Sequence, residues 1–201
     1  MVILQIGVLS IQGAVSEHVE AVHRAGTELV LKNLKVVPVR SLQELEAIDG
    51  LIIPGGESTT ISKLILKFEL YDRIISRATA ESLPILGTCA GTIVLAKEGD
   101  SEVKKTETKL LKLMDMRVIR NAFGRQRESF ESEITIEGFA ESYHAVFIRA
   151  PVIEKVWGKC KSLAKLENQI VLARQENLLA AAFHPELTRD LRIHKYFLEL
   201  I

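Results

Sequence analysis

Gly87-Thr88-Cys89-Ala90-Gly91 sets a cysteine between two glycines, after the apolar run Leu83-Pro84-Ile85-Leu86 and before Thr92-Ile93-Val94-Leu95-Ala96-Lys97. The pattern reads as a buried strand, a sharp turn and a helix. That is the setting of a nucleophile elbow, in which the central residue occupies a strained strand-to-helix turn and small neighbours avoid Cβ clashes. Cys89 would stand exposed at the carboxyl end of a strand, its sulfur facing the unpaired N–H groups of a first helical turn, which favour thiolate over thiol. Free cysteine is also among the most often buried residue types, so a small core cysteine in a glycine-rich turn is the competing reading. A cysteine nucleophile needs a base, and the base needs an orienting acid. Phe183-His184-Pro185-Glu186-Leu187 supplies both. In extended backbone, residues two apart share a side and Pro185 restrains the chain. Glu186 can then accept from one imidazole nitrogen of His184 while the other faces Cys89. The chemistry is acyl transfer through a thioester at a carboxamide, an ester or a peptide, and spacing does not choose among the three.

Two loops could complete such a site. Pro54-Gly55-Gly56-Glu57-Ser58-Thr59-Thr60 follows the apolar run Gly50-Leu51-Ile52-Ile53, and glycines at a strand's carboxyl end can present N–H groups to an oxyanion. An ordinary turn before a helix fits it equally well. The backbone N–H of Ala90, the residue after the nucleophile, would be the second donor. Gln12 lies in the loop after the first strand, which borders the ligand crevice in an open parallel sheet; a solvated loop amide is its plainer reading.

The elements that must position these residues follow in order. Residues 2–9 read as a strand and 14–25 as a helix buried through Val15, Val19 and Val22, with Gly26 as its stop. Residues 27–31 and 35–40 form one strand or two. Ser41-Leu42-Gln43-Glu44 is a capping box opening a helix to residue 48, and 50–53 is a buried strand. Residues 61–82 read as one helix leading back to the elbow. This alternation predicts an α/β fold with a mainly parallel sheet covered on both faces. Residues 99–113 are charged and read as a solvated excursion with no role. The short alternating runs 116–119, 130–136, 145–148, 162–166, 170–174 and 178–183 predict an antiparallel extension, with a polar loop at 121–126. A last helix spans 188–201 with Thr188 as cap and Asp190 in its first turn. Cys160, between two lysines, is read as structural.

At 201 residues and 47% apolar content the chain is expected to form one domain, 1–201, with a full core. Twenty-six basic and twenty-six acidic side chains cancel, which gives no support for nucleic-acid or anionic-membrane binding. Two cysteines make no disulfide framework, and no stretch approaches the ~20 apolar residues of a membrane span. The first residues are apolar without a basic leader or a small-residue cleavage site, so a soluble, cytoplasmic protein is expected, with no metal or cofactor.

Gly87-Thr88-Cys89-Ala90-Gly91 together with His184-Pro185-Glu186 resembles the class I (triad) glutamine amidotransferase family, whose fold is flavodoxin-like. Within it, five stretches resemble the glutaminase subunits of pyridoxal 5'-phosphate synthase: Ile11-Gln12-Gly13-Ala14, Pro54 to Thr60, Arg120-Asn121-Ala122-Phe123-Gly124-Arg125-Gln126, Phe147-Ile148-Arg149-Ala150-Pro151 and His184 to Thr188. The resemblance implies that Cys89 attacks the side-chain amide of L-glutamine, His184 shuttles protons and Glu186 orients it. It further implies glutamine contacts from Gly56, Glu57, Ser58, Arg120, Ile148 and Arg149, oxyanion donors at Gly56 and Ala90, and Gln12 near the oxyanion loop and a docking face. Glu57 is a candidate for the α-ammonium. The implied partner is a separate (β/α)₈-barrel synthase subunit with a dodecameric core. A sister glutaminase feeding imidazole glycerol phosphate formation, a stand-alone Cys/His/Glu hydrolase and a non-catalytic amino-acid-binding module are the alternatives.

Overall fold

The computed structural model describes residues 3–120 and 128–201. Its main sheet begins with β1 (Leu4–Leu9), which pairs in parallel with β2 (Leu34–Val39) on one side and β3 (Gly50–Ile53) on the other. β4 (Ile85–Thr88) continues the parallel run beside β3. Beyond it the strands are β5 (Ala96–Gly99), β6 (Met114–Ile119), β9 (Val152–Val156), β10 (Lys161–Leu166), β11 (Gln169–Gln175) and β12 (Leu178–Ala181), while β7 (Ser129–Ile134) and β8 (Tyr143–Ile148) form a separate antiparallel hairpin. The order is β2-β1-β3-β4-β12-β11-β9-β6-β5, with β10 on β11. β12 returns parallel to β4, and β11 and β9 then run antiparallel, so the sheet changes character one strand past the elbow.

Hydrophobic pattern explains the change. β3, β4 and β12 are buried at every position, as strands covered on both faces must be. β7 and β8 alternate between covered and open positions, the mark of a sheet with one wet face. One core holds Leu9, Leu51, Ile53 and Ile85 with Ile61, Ile65 and Ile74; the other holds Ile6, Val8, Ile52 and Leu86 with Val22, Phe183 and Phe197. Neighbouring residues of one strand therefore feed opposite cores.

The helices are α1 (Val15–Glu28), α2 (Leu42–Glu46), α3 (Ser58–Lys67), α4 (Tyr71–Ala80), α5 (Ala90–Leu95), α6 (Ser101–Lys105) and α7 (Arg192–Leu198), with a 3₁₀ turn at Pro185–Leu187. Ser41 caps α2 as expected, its hydroxyl accepting from the Glu44 N–H. Several boundaries differ from the sequence reading. Gly26 does not stop α1; its missing side chain instead admits Leu34, whose Cδ2 would lie 2.1 Å from a Cβ there. Residues 27–28 are accordingly helical, and only the second run becomes a strand. The helix expected over 61–82 is two, broken where Glu69 takes φ 58°. α5 yields to β5 at Ala96, and β9, which the reading passed over, starts directly after Pro151. The terminal helix is shorter than predicted, and Thr188 does not cap it: its hydroxyl accepts from the Asp190 N–H, and α7 starts after Leu191. Residue 2 of the first strand and the polar loop at 121–126 lie outside the described residues. Among the described residues no helix is long and apolar enough to cross a membrane.

Candidate active site

β4 ends at Thr88 and α5 begins at Ala90, leaving Cys89 alone between them at φ 47°, ψ −103°. A non-glycine residue in that region is held by its surroundings at a cost of order 1–3 kcal/mol, as an elbow requires. What holds it is legible. The Cys89 N–H donates to the Ala181 carbonyl at 2.8 Å, and the Thr92 hydroxyl oxygen lies 2.7 Å from that same carbonyl. Gly91 passes the Ile53 carbonyl so closely that a Cβ would stand 2.1 Å from its oxygen. The cysteine is less open than the sequence implied, 8% exposed, because loops wall in the end of the sheet.

His184 Nδ1 lies 2.6 Å from Glu186 Oε1. The expected pairing is present, but a 3₁₀ turn led by Pro185, with His184 just before it, makes it, not extended backbone. The turn brings the carboxylate to the Nδ1 edge of the ring. Gly55 sits where base and nucleophile meet: a Cβ there would lie 2.4 Å from His184 Cε1 and 3.3 Å from the Cys89 Cβ. Burial alone would lower the pKa of His184, but hydrogen bonding to Cys89 and Glu186 outweighs it and raises it above the ordinary imidazole value. Such a ring is built to keep a proton taken from the thiol.

A cleft of about 340 Å³ opens over these groups, at the small end of the range for small-molecule sites. Every residue expected at the site lines it except Glu186, which stands behind His184; Ile93 joins them. Gln12 is no solvated amide. Its Oε1 accepts the Glu57 N–H at 2.9 Å, and Gly56 passes so close that a Cβ would lie 2.3 Å from that oxygen. The Gly55 carbonyl accepts from the Ala14 N–H at 3.1 Å, so the loop 54–57 is tied at two points to the loop after β1. Glu57 caps α3, accepting from the N–H groups of Thr59 and Thr60 and from the Thr60 hydroxyl at 3.0, 2.6 and 2.7 Å. Partial burial would raise its pKa, but these bonds outweigh it and hold it at about 2. The carboxylate is also within reach of Arg120 Nη2, at 3.4 Å. Ser58 is buried, and its hydroxyl has no partner among the described residues.

Arg120 closes the far side. Its N–H donates to Asp100 at 2.9 Å, and Nη1 reaches the Thr106 and Thr59 hydroxyls at 3.2 and 3.4 Å. The charged segment 99–113 therefore has a role that its composition concealed: Asp100 and Thr106 hold Arg120, while Val103, Leu110 and Leu111 are buried. Arg149 takes φ 42°, its N–H donating to the Glu128 carbonyl at 2.6 Å. The sequence reading also missed His18, Thr88 and His194, which lie behind Glu186. A sign of the first was available, since His18 falls on the Val15-Val19-Val22 stripe that faces the core.

Comparison with known proteins places the chain in a family. Two archaeal proteins, from Methanosarcina barkeri and Archaeoglobus fulgidus, are each 50% identical over 98% of both chains and are named pyridoxal 5'-phosphate synthase subunit PdxT. A protein of the same name from the bacterium Brevibacillus brevis is 48% identical over 98% of this chain and 97% of its own. A solved glutamine amidotransferase superposes with a TM-score of 0.88 at 46% identity, covering 97% of each chain. The model of the SNO glutamine amidotransferase family matches residues 8–201, and with relatives half identical from end to end this chain belongs to that family.

Proposed function

We propose that the protein is the glutaminase subunit of a pyridoxal 5'-phosphate synthase, hydrolysing L-glutamine to L-glutamate and ammonia in a single domain and passing the ammonia to a separate synthase subunit. The observation that carries this is the meeting in one cleft of Cys89, on its positive-φ turn, and His184, which is paired from behind with Glu186 at 2.6 Å. His184 takes the thiol proton, and the sulfur attacks the side-chain amide carbon of glutamine. The N–H groups of Gly56 and Ala90 receive the oxyanion, each worth about 10²–10³ in rate. His184 then gives its proton to the departing nitrogen, so ammonia leaves and a thioester remains. Water, deprotonated by the same ring, attacks the thioester; glutamate departs and the thiol is restored. Arg120 and Arg149 suit the substrate's α-carboxylate, with Gly56, Glu57, Ser58 and Ile148 as further contacts; Glu57 acts chiefly by holding Arg120.

The acceptor is a barrel-fold synthase subunit with a dodecameric core, in the cytoplasm, and Gln12 lies toward the docking face. A glutaminase running idle wastes its substrate, so free activity is low and rises on assembly. The test is glutamate release from L-glutamine by the wild type and Cys89→Ala, each with and without the synthase subunit. Release that requires both Cys89 and the partner supports the reading. Equal release by the wild type with and without partner refutes the gating, and release by Cys89→Ala refutes the thioester route.

A further inference from the structure

Behind Glu186 lies a polar chain that the hydrolysis does not use. His18, on α1, is completely buried, and its Nε2 stands 3.0 Å from the Thr88 hydroxyl and 3.3 Å from Glu186 Oε2. Its Nδ1 is 3.1 Å from Nε2 of His194, on α7, also completely buried. Glu186 spends Oε1 on His184. Oε2 has no aligned hydrogen bond among the described residues, and His18 Nε2 faces it at 3.3 Å.

The protons can be assigned by following the chain inward. His194 Nδ1 has no partner among the described residues. An N–H there would be a buried orphan donor, the costlier of the two choices, so His194 carries its proton on Nε2 and donates to His18 Nδ1. His18 must then carry its own proton on Nε2, where it faces Thr88 and the carboxylate. The opposite tautomer would turn a lone pair toward an anion at 3.3 Å. The titratable groups facing His18 are His194, Glu186 and, beyond it, His184; Arg24 acts on His194. Burial, then the neighbouring histidines, keep His18 neutral, and burial with Arg24 keeps His194 down at about 4.

We propose that His18, set in its Nε2–H tautomer by His194, is a positioning residue that ties the acid of the triad to Thr88, the residue before the nucleophile. The Nε2–H is donated to the Thr88 hydroxyl and presents its positive edge to Oε2 at 3.3 Å, which keeps Oε1 aimed at His184, while the hydrogen bond to Thr88 anchors the strand end from which Cys89 springs. α1 and α7, which contribute no group to the cleft beyond this chain, thereby set the registry between acid and elbow. The proposal rests on the glutaminase reading, and its test separates the two.

Long-range ¹H–¹⁵N spectra of the full wild-type chain should show both His18 and His194 as neutral Nε2–H tautomers from pH 5 to 9. A Nδ1–H signal at His18 overturns the proposal, without reference to glutamine. With the synthase subunit bound, His18→Leu should lower kcat about tenfold to a hundredfold, the scale of a misplaced catalytic group, while KM for glutamine stays within about twofold. His18→Gln, whose amide can donate from near the Nε2 position, should recover most of that loss. A Leu variant that folds and keeps full kcat, or a Gln variant no better than Leu, refutes the positioning role. If the wild-type complex itself releases no glutamate, the glutaminase reading falls and this role with it.

Discussion

Arg120 combines a fixed head with free donors. Nη1 is taken by two threonine hydroxyls and Nη2 by Glu57, which leaves Nε–H and a second Nη2 proton without partners among the described residues. Two parallel N–H groups on one guanidinium edge match a carboxylate, and a lysine cannot reproduce them. Arg120→Lys should therefore raise KM for glutamine about tenfold, the scale of one charge-assisted hydrogen bond, with a smaller change in kcat. Steady-state kinetics of the assembled complex checks this; a loss confined to kcat would move Arg120 from binding into the chemistry. Glu57, expected among the substrate contacts, lines the cleft and also reaches another side chain, Arg120, at 3.4 Å. Its oxygens are committed to the start of α3 before any ligand arrives.

At the scale of elements, the segment 99–113 contains a short capped helix and acts on the cleft through Arg120, which Asp100 and Thr106 hold. Asp100 does two tasks at once. One oxygen accepts the Val103 N–H at 2.9 Å, capping α6, and the other accepts the Arg120 N–H at 2.9 Å. Asp100→Ala should lower stability by about 1 kcal/mol, the usual value of such a cap, and raise KM severalfold through Arg120. Denaturant unfolding read beside kinetics checks both; reduced stability with an unchanged KM would confine Asp100 to capping. The loop 54–57 has the same logic. Gln12 and Ala14, from the loop after β1, hold it over the elbow, so two successive βα loops of one sheet edge build a single surface.

For the whole molecule, charge balance is even and pH acts through particular groups. Glu57 falls from the ordinary 4.5 to about 2 in the fold, so the stability it contributes is fully present above pH 4.5 and is lost as pH falls toward 2. Glu44, Asp115 and Asp190 are lowered as well and act with the same sign. His184 is raised, so its contribution is complete below the ordinary imidazole value and is lost as pH climbs through its folded value. Tm should therefore fall steeply on the acid side between about pH 4.5 and 2, and Glu57→Gln should flatten part of that limb. Calorimetry across pH 2 to 9 tests this, and an acid limb unchanged in the variant would remove Glu57 from the account.

The strand–helix alternation up to the elbow, the parallel half of the sheet and the pairing of His184 with Glu186 were legible in local sequence. A run such as Gly50-Leu51-Ile52-Ile53 fits a strand covered on both faces, and a cysteine between glycines after such a run fits a nucleophile elbow. Proline at 185 was enough to bring His184 and Glu186 together, though by a tighter turn than extended backbone. Tertiary structure decided what depends on contacts between distant segments. Gly26, a stop by its type, lies inside a helix where Leu34 packs against its missing side chain, and the charged segment 99–113 is fixed to the body by Val103, Leu110 and Leu111, which are buried. His18, Thr88 and His194 are separated by up to 176 residues in the chain and meet only when α1 and α7 close over β4. A side chain's own neighbours in sequence set its backbone. Whether its polar atoms find partners is settled by the sheet order that brings those partners near.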